Sequence, residues 1–171
     1  MTVIFYLASL VAIVATFMVI TRANPIHALL YLVVSLLAVA LIFYVLGAPF
    51  VAALEVIIYA GAIIVLFIFV VMMLNLGPES TQAEYSLMQP HQWVGPSILS
   101  LILFFQVLYL IFATGGSEGG ESRVIPPQEV GAAMFGPYVI GIELVSILLL
   151  AGLVGAFHLG RQETQPLEGD Q

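Results

Sequence analysis

"ALEVIIYAGAIIVLFIFVVMMLNLG", residues 53 to 77, is almost wholly apolar and long enough to cross a membrane. A span needs roughly 20 apolar residues as a helix. Lipid leaves only helices and closed barrels able to satisfy their own backbone groups. Barrel strands alternate apolar and polar residues, and this run does not. It is therefore read as a membrane helix. Near its start it carries a carboxylate, Glu55, then Tyr59, then the small triplet Ala60-Gly61-Ala62. An acid, a phenol and a weak spot within two turns need a reason.

The rest of the chain agrees with the membrane reading. Of its 171 residues, 62% are hydrophobic and 8% charged, and the mean hydropathy is +1.16. A soluble domain carries about 25% charged residues, so this chain cannot coat a water-facing surface. Four further apolar runs flank the first one. The expected spans are residues 2–20, 26–46, 51–76, 93–113 and 138–159, forming one all-α integral membrane domain over residues 1–161 with a polar tail at 162–171. The first run could also be read as a signal peptide. No positive charge precedes it, however, and it is long for one, which favours a span. Residues 21–25 and 47–50 are tight turns. Residues 77–90 are polar, and 115–135 are Gly-rich, acidic and then Pro-rich, which reads as a flexible connector. No internal repeat is visible, and five spans do not divide into the paired halves of many secondary transporters.

Charge narrows the function classes. The net charge of -7, with no lysine and three arginines, argues against nucleic acid and against polybasic lipid binding. The absence of cysteine excludes disulfides and iron–sulfur ligation by this chain. With the N-terminus outside, Arg22 and Arg161 lie inside and Arg123 outside. This is a weak vote for an outer (periplasmic) N-terminus and an inner (cytoplasmic) C-terminus.

Ionisable groups within spans are costly and mark functional sites by default. Two acids qualify, Glu55 and Glu143. Each follows the proline that opens its helix by roughly 8–10 Å along the axis, so both should sit at similar depth. Each is either a group hydrated locally or bonded to a neighbouring helix, or a functional protonatable group. No arginine or lysine of this chain lies at a depth to pair with them, so a counter-charge would come from another protein. That argues against a pump working alone. Residues 55, 59, 62, 66, 69 and 73 share one face of an α-helix, which places Tyr59 to hydrogen-bond Glu55 or a water beside it. Ala60-Gly61-Ala62 permits close helix approach, and Gly61 weakens the helix by roughly 1 kcal/mol relative to Ala. Residues 51–76 would span about 39 Å against roughly 30 Å of hydrocarbon. Tilt, an irregular turn or a π-bulge could each absorb the excess. His27 and His158 could ligate a haem from two helices, but residues so placed more often lie at the interface beside Arg22 and Arg161. His91, next to Trp93, reads as an interfacial anchor.

Residues 24–77, "NPIHALLYLVVSLLAVALIFYVLGAPFVAALEVIIYAGAIIVLFIFVVMMLNLG", resemble the core of the subunit J family of bacterial NADH:quinone oxidoreductase, respiratory complex I, whose mitochondrial counterpart is NADH dehydrogenase chain 6. Residues 135–161, "FGPYVIGIELVSILLLAGLVGAFHLGR", resemble that family's fifth helix. The "LEVIIYAGAIIVLF" motif is the specific part; residues 115–130 and the tail are peculiar to this chain. The resemblance implies a π-bulge in the third helix near Tyr59 and Gly61, extending toward Val65 and Phe67. It implies that this segment turns between regular and bulged forms and so admits a water chain toward subunit K and the antiporter-like subunits, with Glu55, Tyr59 and Glu143 along the proton pathway. It implies a bacterial inner membrane and the subunit K, A and H homologues and lipids as partners. It also implies no catalytic residue and no cofactor in this chain; FMN, iron–sulfur clusters and quinone belong to other subunits. Two other readings stay open on the residues alone: a stand-alone transporter, and a packing subunit with no part in proton movement.

Overall fold

The computed structural model describes residues 1–73, 90–114 and 124–160. Among the described residues the chain is helical, without strands. Helix α1 is Thr2–Thr21, α2 is Pro25–Val45, α3 is Pro49–Met73, α4 is Pro90–Thr114, α5 is Pro127–Met134 and α6 is Val139–Gly160. Five of them, α1, α2, α3, α4 and α6, are long and apolar enough to cross a membrane.

The boundaries follow local chemistry. The Asn24 side chain caps α2 by accepting from the Ile26 N–H at 3.0 Å, and Pro25 at the first position loses no intrahelical bond. Gly47, at φ +86°, supplies the left-handed residue that turns α2 into α3. Pro49 then opens α3, slightly before the expected start at 51. The Gly47 carbonyl also accepts from the Ile125 N–H at 2.8 Å, which ties residues 124–126 to this turn. Residues 74–76 of the third expected span, the loop 77–89, residues 115–123 with Arg123, and Arg161 with the tail lie outside the described residues.

The residues fall into two compact units, Met1–Pro126 and Pro127–Gln171. In the first unit, Ile4, Ala8, Val11 and Ala15 line one face of α1. They meet Val34, Ala38 and Leu41 of α2 and Leu103 and Leu110 of α4. Ala8, Ala15 and Ala38 are fully buried. Small residues at these crossings let the helix backbones approach closely, which drives association where lipid removes the hydrophobic drive. One polar clasp crosses the seam. The Thr16 and Ser35 hydroxyls lie 2.8 Å apart, and Ser35 Oγ donates to the Ala12 carbonyl at 3.3 Å. A double-mutant cycle of Ser35→Ala with Thr16→Val is expected to give a coupling of about 0.6 kcal/mol, read from thermal denaturation in detergent. Zero coupling would mean the two hydroxyls do not act as a pair.

The second unit holds a correction. Residues 115–135 read as a flexible connector, yet Pro127–Met134 form helix α5. Pro127 starts it and Glu129 stands in its first turn, both favourable at a helix N-terminus. The Gly and Pro signals of the preceding stretch masked this short element. Two further bonds, Phe135 N–H to the Gly131 carbonyl at 3.0 Å and Tyr138 N–H to the Ala133 carbonyl at 3.1 Å, close the turn before α6. Helix α6 has no buried residue.

Candidate functional site

Helix α3 changes its winding in mid-span. Pro49–Leu54 is α-helical, Glu55–Ile63 is a π-helix of nine residues, and Ile64–Met73 is α-helical again. The register is visible in single bonds. The Glu55 N–H still reaches the Val51 carbonyl, four residues back. The Ile64 N–H reaches the Tyr59 carbonyl, five back. The excess length of α3 is thus taken up by wider turns. π-Helices are rare and tend to mark functional sites.

Gly61 explains why this segment tolerates the wide turn. A Cβ added at Gly61 would stand 3.2 Å from the Val56 carbonyl oxygen. That contact is tighter than usual, so the carbonyl would have to give slightly; the glycine avoids it and also weakens the helix locally.

The segment is loosely held. None of its nine residues is buried. Glu55 is half-buried and Tyr59 is 50% exposed. Among the described residues no hydrogen bond joins Tyr59 to Glu55. The direct bond between them is not formed. Arg22 is likewise engaged elsewhere. Its guanidinium lies 5.5 Å from the Tyr31 ring centroid and donates to the Met18 sulfur at 3.6 Å. Few buried contacts mean a low cost of local rearrangement.

The structure gathers Glu55, Tyr59 and Gly61 into the one π segment. Val65, 64% exposed, and Phe67, 49% exposed, lie just beyond it in the α-helical part. Glu143 is exposed in α6 of the second unit; the Ser146 hydroxyl donates to its backbone carbonyl at 2.8 Å. His158 is exposed near the end of α6. His27, in the first turn of α2, is buried at 4% exposure, with its ring 6.3 Å from that of Trp93. Position in the sequence showed only that it opens α2; packing by α4 covers it.

One feature was not foreseen. Beside the π segment, α2, α3 and α4 enclose an apolar groove of about 810 Å³, to which α3 contributes Ala52, Ala53 and Val56 and α4 contributes Leu103 and Val107.

A family model described as NADH-ubiquinone/plastoquinone oxidoreductase chain 6 matches residues 15–159. NADH-quinone oxidoreductase subunit J of Pseudomonas aeruginosa is 52% identical over 161 residues, covering 94% of this chain and 97% of the relative. The protein of the same name from Escherichia coli K12 is 53% identical over 159 residues, covering 93% and 86%. That of Buchnera aphidicola subsp. Schizaphis graminum is 49% identical over 160 residues, covering 94% and 98%. Matches of this extent make the chain a member of the NADH-ubiquinone/plastoquinone oxidoreductase chain 6 family.

Proposed function

We propose that the chain is a membrane-arm subunit of NADH:quinone oxidoreductase, and that α3 couples quinone reduction to proton translocation by passing between π and α windings. The observation that carries this reading is the π segment itself, which holds Glu55, Tyr59 and Gly61 on an uncovered stretch of helix. The change of winding is inexpensive in bonds. Each N–H trades an acceptor five residues back for one four residues back, so no donor is lost. Ile64, for example, would exchange the Tyr59 carbonyl for that of Ala60.

The trade has a mechanical result. Removing one residue of excess winding turns everything beyond it by roughly 100° about the helix axis. Val65 and Phe67, which follow the segment, would swing by that angle. In one winding they present bulk to a water path, and in the other they withdraw. Glu55 and Tyr59 border the path as a protonatable group and a hydroxyl. Glu143 serves from the sixth helix. The chain itself moves no electrons in this reading. FMN, iron–sulfur clusters and quinone sit in other subunits.

The exposed faces of α3 and α6 suit protein and lipid neighbours. We assign the subunit K, A and H homologues to them, with lipid in the remaining gaps. The membrane is the bacterial inner membrane, with the N-terminus periplasmic and the C-terminus cytoplasmic. The test is native electrophoresis of mildly solubilised membranes carrying a tagged chain. The tag is expected in a very large band that oxidises NADH. A tag running small and apart from that activity overturns the assignment.

A further inference from the structure

Away from the π segment, α2 carries a buried polar stripe. His27, Tyr31 and Ser35 stand four apart on one helix face and are 4%, 3% and 6% exposed. Each meets another element of the first unit. The His27 ring faces Trp93 of α4. The Tyr31 hydroxyl rests on Gly95 of α4. Ser35 bonds Thr16 and the Ala12 carbonyl of α1. Gln106, 6% exposed, continues the polar content on α4. It sits between Leu103 and Leu110, which pack into the core shared with α1 and α2. Gln106 is eleven residues past Gly95, about 16 Å along the axis. The polar groups therefore extend from the end bearing Arg22 well into the apolar span.

Two of these side chains lack protein partners. Among the described residues nothing bonds either ring nitrogen of His27, nor the amide nitrogen or oxygen of Gln106. Unpaired amides and imidazoles away from water cost several kcal/mol. Leucine at these positions would carry no such cost, so their partner needs naming. Both are buried within the chain itself, His27 against Trp93 of α4 and Gln106 beside the core residues Leu103 and Leu110. Neutral imidazole presents one donor and one acceptor, and the carboxamide presents both as well. Water supplies both roles and enters where polar groups converge.

We propose that His27 and Gln106 each hold ordered internal water, so that α1, α2 and α4 enclose a hydrated polar file through Tyr31, Ser35 and Thr16. The file is distinct from the π segment and does not depend on its switching. It contains no carboxylate and no lysine. It is a fixed hydration site that fastens three helices.

The test is a map of the chain in its native assembly, at a resolution where other waters of the membrane region are seen. Water density is expected within hydrogen-bond reach of a His27 ring nitrogen and of the Gln106 amide. Side chains bonded directly to protein groups, with no such density, overturn the proposal.

Discussion

Gly61→Leu is expected to lower quinone-reductase turnover and proton pumping together, by about tenfold or more, in a complex that still assembles. The expectation rests on one distance. A Cβ at residue 61 stands 3.2 Å from the Val56 carbonyl oxygen in the π winding, a contact tighter than usual. Helix propensity adds roughly 1 kcal/mol in the same direction. A bias of about 1.4 kcal/mol changes a two-state ratio tenfold. Gly61→Ala is the milder and cleaner variant, since it adds the Cβ alone; about a fivefold loss is expected from propensity by itself. Val65→Pro attacks the other side of the switch. It removes an N–H just past the segment, at about 3 kcal/mol or more in a helix interior. Rate and proton-to-electron ratio are measured together in inverted membrane vesicles. Normal values of both in Gly61→Ala and Gly61→Leu would sink the switch, and would leave α3 as a packing helix.

Gly95→Ala is expected to damage the fold rather than the coupling. A Cβ at Gly95 collides with the Tyr31 hydroxyl and comes within 3.1 Å of the ring carbon that bears it. Tyr31 is 3% exposed and has no room to retreat. Overpacking of this kind costs roughly 1–3 kcal/mol, enough to cut the amount of assembled complex severalfold. Adding Tyr31→Phe removes the hydroxyl and should restore part of the loss, because the ring carbon still crowds the new methyl. The ratio of activity to assembled complex should stay normal throughout. Thermal stability and native-gel yield of the single and double variants check this. Full assembly of Gly95→Ala alone would mean that α2 and α4 are not fixed against each other here.

Much of the fold was legible because lipid leaves few options. Five apolar runs could only be helices, and Asn24-Pro25 and Gly47-Ala48-Pro49 marked their joints. The ends were less legible. Pro127–Met134 formed a helix inside a stretch whose glycines and prolines read as a connector. The site was legible in part. Glu55, Tyr59 and Gly61 stood out as an acid, a phenol and a weak point, and α3 was visibly too long. Propensity could not choose between tilt and a wider turn, because both keep the backbone N–H groups bonded within the helix and propensity scales describe the α winding alone. Burial was the least legible quantity. His27 and Gln106 give no sign in the sequence that α4 packs over one and that the core closes on the other. The four-residue spacing of His27, Tyr31 and Ser35 was the available signal, and only packing shows that this face turns inward.

The switch itself is tested most directly by comparing maps of the assembled complex in two conditions, one with the quinone site empty and one during turnover. Residues 55–63 are expected to be π-wound in one population and α-wound in another, with Val65 and Phe67 turned by roughly 100° between them. A π segment of identical register in every population, with Val65 and Phe67 unmoved while the complex pumps, would contradict the proposed coupling.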